Sequence, residues 1–478
     1  MRPRNESARD QLAQLLRRKP GAKAADLAHI AKVSLPTMHR MLKELGADVV
    51  PEVVRIGKAG RTCYYLRRAL KGVKADVPVY AVNAAGIAVQ TGAITLLEPQ
   101  GSWLDVSAMG WPVGSEFASG VWPNGLPYPL QDMRPQGFLG RLFAQNEGKA
   151  LGVSSNPNEW DDNDVLHVLL QKGFDASGNL IIGDTALQAW LESKAKPTKL
   201  LTPQTLARGY VTLAATVAER GGAGASAAGE FPKFTALRDL PGAQTPHVIV
   251  KFSAADASAT VQRWSDLLVC EHLALQAIRA MPGVQSAASR IIQSKGRAFL
   301  EVERFDRHGL HGRSPLCSLD TLEAAILAKT SADWGHAGEL LLEQGWIAPH
   351  VPALLRGIWA FGKLIGNADM HKGNLSFVPQ PPQHPHRAGN SSALAPLELA
   401  PVYDMLPMMY APLPGGELPA SAFNPGLPTP KDREAWLLAH PAARSFWQNA
   451  AQDQRISASF QDICARNCRE LERLRGMA

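Results

Sequence analysis

Leu364-Ile-Gly-Asn-Ala-Asp369-Met-His-Lys-Gly-Asn374-Leu-Ser-Phe377, followed by Leu399-Ala-Pro-Val-Tyr403-Asp404, is the stretch on which the fold turns. An Asp, an Asn five positions later, and a second Asp beyond a strand-like run are the polar groups that kinase-type phosphoryl transfer needs. The first Asp accepts or orients a hydroxyl proton, and the Asn and the second Asp offer hard oxygen donors to a magnesium ion on nucleotide phosphates. A plainer reading is a polar turn closing a helix, with Asp369 as a cap. The apolar runs on both sides and the distant third carboxylate favour phosphoryl-transfer chemistry.

Upstream of this stretch the chain supplies the complementary charge. Gly221-Gly-Ala-Gly-Ala-Ser226-Ala-Ala-Gly229 is a small-residue loop, and it precedes Phe231-Pro-Lys-Phe234 and then a strand, His247-Val-Ile-Val-Lys251-Phe252. Small residues let backbone N–H groups approach phosphate oxygens, and a strand-borne Lys supplies a fixed cation. Alone, such a loop is a weak signal, since Ala/Gly loops before strands are usually linkers. Neither a Walker motif nor a clean G-x-G-x-x-G is present, which excludes P-loop and Rossmann readings. Glu271, twenty residues past Lys251 on an amphipathic stretch from Leu267 to Met281, is placed either to orient that Lys or to sit on the surface. Ala298-Phe-Leu-Glu-Val-Glu303-Arg-Phe305-Asp306-Arg307 reads as a strand leaving the core, suited to joining two lobes.

The chain has 478 residues, too many for one core, so two or three domains are expected. Gly and Pro are plentiful (41 and 35), which predicts long loops. Five Cys are too few and odd in number for a disulfide framework, so reduced thiols and a cytoplasmic location are expected; Cys464 and Cys468 share a helix face and read as packing rather than as a zinc site. No signal peptide is read at the start. The uncharged run Val77 to Leu97 is rich in Ala, Gly, Asn, Gln and Thr and reads as short strands rather than a membrane span.

Charge divides the chain. Residues 1–74 hold 17 Lys/Arg against 6 Asp/Glu, while the other 404 residues hold 33 basic and 37 acidic. The formal charge of +7 therefore comes from the amino-terminal module. There a helix over Ser7–Arg18 places Leu12, Leu15 and Leu16 on one face. A second short helix turns Ala25, Leu27, Ala28 and Ile30 inward. A third, capped by Ser34 and ended by Gly46, carries Leu35, Met38, Leu42 and Leu45 on one stripe and Thr37, His39, Arg40 and Lys43 on the other. Two β-type runs, 53–56 and 62–66, flank a tip with Lys58 and Arg61. This is the layout of a winged helix-turn-helix, whose third helix reads the major groove and whose wing touches phosphates. A protein-docking module with a solvated basic face is the alternative. Residues 75–220 read as a compact α/β unit, with the acidic run Glu159-Trp-Asp-Asp-Asn-Asp164 marking a helix start, and identify no chemistry of their own.

The pieces Gly-Ala-Ser-Ala-Ala-Gly-Glu-Phe-Pro-Lys-Phe, Val-Ile-Val-Lys251, Val-Glu-Arg-Phe-Asp-Arg, Ile-Gly-Asn-Ala-Asp-Met-His-Lys-Gly-Asn and Pro-Val-Tyr-Asp404 follow one another over residues 221 to 410. In this the chain resembles the HipA-type toxin serine/threonine kinases of bacterial toxin–antitoxin systems. With its own basic head it is similar to the longer YjjJ-like subgroup, whereas the usual member relies on a separate helix-turn-helix antitoxin protein. The resemblance implies an α+β, two-lobed protein-kinase-like body over 221–478, a HipA N-terminal-type subdomain over 75–220 and a DNA-binding winged helix over 1–74.

It also implies ATP and Mg²⁺ as cofactors and a protein substrate in the translation machinery. Asp369 would be the catalytic Asp, Asn374 and Asp404 the magnesium ligands, and Lys251 the phosphate-binding Lys. Glu303 and Phe305 would hold adenine through the hinge, and Asp306, His371 and Tyr403 would line the nucleotide pocket. Ser226 would be the autophosphorylated loop Ser that switches the kinase off. Gly229-Glu230-Phe231 departs from the family's Gly-Ala-Gln loop, and Pro379–Pro396, with His384 and His386, is a long insertion read as solvated loop. Two other functions stay open on sequence: a transcriptional regulator whose kinase-like body only binds a ligand or partner, and a small-molecule phosphotransferase using the same Asp-x₄-Asn logic.

Overall fold

A computed structural model of the protein describes residues 3–46, 52–72, 74–221, 230–326, 330–380 and 397–477. The basic head is three helices, α1 (Pro3–Arg18), α2 (Ala24–Ile30) and α3 (Leu35–Leu45), and an antiparallel hairpin of β1 (Val53–Ile56) and β2 (Cys63–Leu66). Leu12, Leu16, Leu27, Met38, Leu42 and Leu45 close its own small core. Ser34 caps α3 by accepting from the Thr37 N–H, and Gly46 ends it. Three inward assignments are corrected: Ala25, Ile30 and Leu35 are exposed. Ile30 stands three residues after Leu27 and Leu35 three before Met38, so both keep the helical spacing, but they sit at the helix ends, where the packing that buries 24, 27 and 28 in α2 and 38, 42 and 45 in α3 does not reach.

The middle unit is a five-stranded antiparallel sheet. Its strands are β3 (Val77–Val82), β4 (Ala88–Leu97), β5 (Gly101–Trp103), β6 (Val121–Trp122) and, after α4 (Gly137–Leu151) and α5 (Asp162–Lys172), β7 (Leu180–Ile182), in the order β6-β5-β4-β3-β7. The uncharged run 77–97 thus forms two paired strands, and among the described residues no helix is long and apolar enough to cross a membrane. Asp161 starts α5 by accepting from the Asn163 and Asp164 N–H groups, the capping arrangement expected of its acidic run. Helices α6 (Asp184–Ala195) and α7 (Leu206–Gly221) lead on.

The body begins with β8 (Lys233–Leu237) and β9 (His247–Phe252), then α8 (Ala259–Ala277), β10 (Ser289–Ser294) and β11 (Arg297–Glu303). These strands form an antiparallel sheet ordered β10-β11-β9-β8, so Lys251 rides an inner strand. Past the short pair β12 (Arg307–His308) and β13 (Gly312–Arg313), the chain turns mostly helical. It runs through β14 (Cys317–Ser318), α9 (Leu319–Ile326), α10 (Trp334–Glu343), α11 (Val351–Leu364), β15 (Ser376–Pro379), β16 (Leu397–Leu399), α12 (Arg433–Gln452) and α13 (Ala458–Arg475). The result is a mixed helix-and-sheet chain with a sheet lobe and a helical lobe. Cys464 is buried in α13, unpaired, which fits its packing role.

Candidate active site

The chain reaches the site from α11. Gly366 follows that helix at φ +72°, and a Cβ there would lie 2.7 Å from the Met409 sulfur, so this turn suits only glycine. The following loop is held by its own polar atoms. The Asp369 N–H donates to Asn367 Oδ1 at 3.0 Å, and Asn374 Nδ2 donates to the Asp369 carbonyl at 2.9 Å. The five-residue spacing is therefore what lets Asn374 brace the backbone of Asp369. Asn374 is buried, and with its amide so committed its Oδ1 faces no donor among the described residues. Tyr403 donates to the Gly373 carbonyl at 2.8 Å and lies 2.7 Å from Ser376 Oγ, tying this loop to the segment after β16 that carries Asp404.

Opposite stands the buried cation. Lys251 is 6% exposed, and its Nζ lies 2.9 and 2.8 Å from the two oxygens of Glu271, itself 1% exposed, on α8. It also meets Asp404 Oδ1. Burial works against the Lys251 charge, but Asp404 and Glu271 together lift its pKa well above the ordinary lysine value. Burial would raise the Asp404 carboxyl, yet Lys251 and Lys233 hold it below the usual range. Glu271 goes the other way, pushed up to about 7 by burial, because one ammonium serves two carboxylates. Asp404 also adopts φ +55°, a left-handed backbone that only Asn and Asp tolerate with any ease among residues with a Cβ. Such strain gathers at functional sites.

Lys251, Asp369, His371, Asn374, Tyr403 and Asp404 line one cleft of about 790 Å³. Asp369 stands exposed to it, its carboxyl raised above the ordinary value by partial burial and by the nearby Asp404, against the pull of His371. Phe305 is close by, its ring 5.7 Å from that of Tyr403. Glu303 and Asp306 are elsewhere. The Glu303 carboxylate accepts from Arg238 at 2.5 Å, and Asp306 is buried between Arg304 (3.1 Å) and Arg307 (2.6 Å) while accepting from the Gly178 N–H. Neither side chain lines the cleft. Ser226 and most of the Gly-rich loop, residues 222–229, lie outside the described residues, as do His384 and His386.

Sequence reasoning missed the contribution of the middle unit. Asp132 accepts from the Ser318 N–H and hydroxyl and from Thr321, locking the middle unit to the start of α9, and its neighbours Gln131, Arg134 and Gln136 form a wall of the cleft. Glu230, just after the Gly-rich loop, accepts from Arg141, Lys233 and the Phe138 N–H at the start of α4. No local pattern signals the bonds between the middle unit and the body, because each joins residues some 90 to 190 positions apart. At the head, Arg40, Lys43 and His39 are exposed on α3, Thr37 is half-buried, and Lys58 and Arg61 are exposed at the hairpin tip, where Gly57 and Ala59 take positive φ.

Glu271 sets a pH test. A carboxyl whose folded pKa is raised contributes stability that is fully present below its unfolded pKa and is lost as pH rises through the folded value. The expected result is a stability that declines from this group between about pH 4.5 and 7, and a flatter pH profile of thermal unfolding for Glu271→Gln. Identical slopes in the parent and the variant would contradict the assignment.

Residues 73–191 match the family described as YjjJ-like toxin, middle domain, and residues 225–471 the one described as HipA-like C-terminal domain. The chain is 35% identical over 454 residues to Toxin YjjJ of Escherichia coli strain K12, covering 95% of each chain. Among solved structures, it is similar to a chain of the Shewanella oneidensis MR-1 toxin–antitoxin complex of HipA, HipB and its operator DNA. That match has a TM-score of 0.46 and 14% identity, over 82% of this chain and 95% of that one. The Helicobacter pylori proinflammatory kinase CtkA matches at TM-score 0.35 and 15% identity, over 51% of this chain and 88% of that one.

Proposed function

The chain belongs to the HipA-like toxins, in their YjjJ-like branch, and from that premise we propose that it is an ATP- and magnesium-dependent serine/threonine protein kinase. In this reading it acts in the cytoplasm as the toxin of a toxin–antitoxin system, on a target in the translation machinery. The observation that carries the reading is the convergence of Lys251, Asp369, Asn374 and Asp404 on one cleft, with Lys251 braced by Glu271.

The donor set suits the implied ion. Asn374 Oδ1 and the Asp404 carboxylate are hard oxygen donors, and magnesium needs few protein ligands because it keeps its waters. When bound, magnesium would neutralise phosphate charge between these two residues. The chain's own groups do the rest. Lys251 offers an ammonium to phosphate oxygens, held in place by Glu271. Asp369 accepts a hydrogen bond from the attacking Ser or Thr hydroxyl and takes up its proton, and the upward shift that burial and Asp404 give its carboxyl makes it the more ready acceptor. Phe305 beside Tyr403, with the hinge backbone, offers an apolar face to adenine.

Incubating the full chain with γ-labelled ATP and magnesium tests the proposal. Label on a Ser or Thr hydroxyl of a protein, with Ser226 the first position to inspect, is expected. Turnover of ATP only onto a small hydroxyl compound would favour the phosphotransferase reading, and no turnover at all would leave a ligand-binding regulator.

The head supports DNA binding through its charge and layout. Arg40, Lys43, Lys58 and Arg61 are exposed, and α3 precedes a hairpin whose tip is basic. Arg40→Ala/Lys43→Ala is expected to weaken binding to duplex DNA and to reduce the slope of log K against log salt by about 1 for each phosphate that is no longer neutralised. A mobility-shift titration at several salt concentrations measures both. An unchanged slope would mean that α3 meets something other than phosphate.

A further inference from the structure

A second cavity, about 770 Å³, opens where the middle unit, α7 and the outer part of the sheet meet, and it shares no lining residue with the cleft above. On β9, Ile249 and Lys251 serve the cleft, while His247 and Val248 serve this cavity. Its charge is lopsided. Lys199, Arg208, Arg304, Arg307 and Arg313 line it against one carboxylate, Asp175.

The interior cations exceed the acids that reach them. Asp175 is shared between Arg304 (3.2 Å) and Arg307 (3.0 Å), and Asp306 serves the same two guanidinium groups. Arg313 has neither acid as an ion-pair partner. One of its nitrogens donates to the Phe174 carbonyl, and buried Nη1 has no acceptor among the described residues; the same is true of Arg307 Nε. Burial, with Arg307 nearby, pushes the Arg313 pKa down to about 9, the response of a guanidinium short of a counter-charge. Lys199 and Arg208 stand exposed at the cavity, and no ion pair engages either among the described residues.

We propose that this cavity binds a small organic phosphate. Arg and Lys side chains match the oxygens of a phosphate group, Arg in bidentate fashion. Leu201, Leu213 and Ala236 supply an apolar wall for the organic part. Size fits as well, since ligand pockets generally span about 300–1,000 Å³. Arg304, which lines this cavity, follows directly on β11 and precedes Phe305, whose ring meets Tyr403 of the cleft. The site does not depend on the kinase reading.

Calorimetric titration of the full chain with ribose 5-phosphate, glycerol 3-phosphate and AMP, without magnesium, is the test. At least one of these probes is expected to bind one-to-one. Its Kd should rise about tenfold or more in Lys199→Glu/Arg208→Glu, about one 1.4 kcal/mol step per decade, and stay unchanged in Lys233→Ala, which removes a cation from the cleft instead. All three altered positions are exposed or partly exposed, and circular dichroism would check that the folds match. Failure of all three probes to bind overturns the proposal. So does a Kd indifferent to the charge reversal, or one that weakens only in Lys233→Ala, which would put the anion in the cleft.

Discussion

Asp369→Ala is expected to lower phosphoryl transfer by about 10²–10⁴-fold, the range for loss of a positioned general base, while the thermal midpoint and ATP affinity stay close to those of the parent. The structural reason is that the Asp369 side chain carries none of its loop. The hydrogen bonds that hold the loop use its backbone N–H and carbonyl, through Asn367 and Asn374. The exposed carboxylate is thus available for chemistry at little cost to the fold. Asp369→Asn keeps the shape and removes the basicity, so it should be as inactive as the Ala variant. Single-turnover measurement with labelled ATP reads the rate, and ATP titration reads the affinity. Parent-like transfer in either variant would remove Asp369 from the reaction.

Lys251→Met is expected to act on stability and activity together. Removing the ammonium leaves Glu271 buried without its partner and Asp404 without its nearest cation. Breaking a buried pair on one side costs about 3–5 kcal/mol. The deficit should grow as pH rises, because Glu271 then ionises with nothing to meet it. Lys251→Met/Glu271→Leu removes both charges and should regain most of the stability, since a well-packed apolar replacement of a buried pair is often neutral. It should not regain transfer, because the phosphate-facing cation is still missing. Denaturant titrations at two pH values and the labelled-ATP assay separate these outcomes. Recovery of activity in the double variant would show that Lys251 only supports the fold.

Much of the arrangement was legible where it is local. The Asp369–Asn374 spacing works through one backbone carbonyl, and the Ser34 and Asp161 caps bond within three residues of themselves. Lys251 and Glu271 were half legible: a strand Lys and a helix Glu twenty residues apart suggest a pairing, and the sheet order then decides it. The head's stripes were overextended at Ile30 and Leu35, because periodicity marks a face but not where the neighbouring helices stop covering it.

What the chain's own order of residues determined is the chemical inventory and its local framing: a basic head, a small-residue loop, a strand Lys, and an Asp-x₄-Asn turn with a later Asp. Only the tertiary structure decided which charges meet. It put Asp404 against Lys251 in a left-handed backbone. It drew Asp306 into a guanidinium cluster away from the cleft and brought Asp132 and Glu230 across to join the middle unit to the body. Hydrogen bonds of a turn or cap span a few residues and leave a readable spacing. Electrostatic pairing depends on distance in space and on burial, and neither is written in the separation of two residues along the chain.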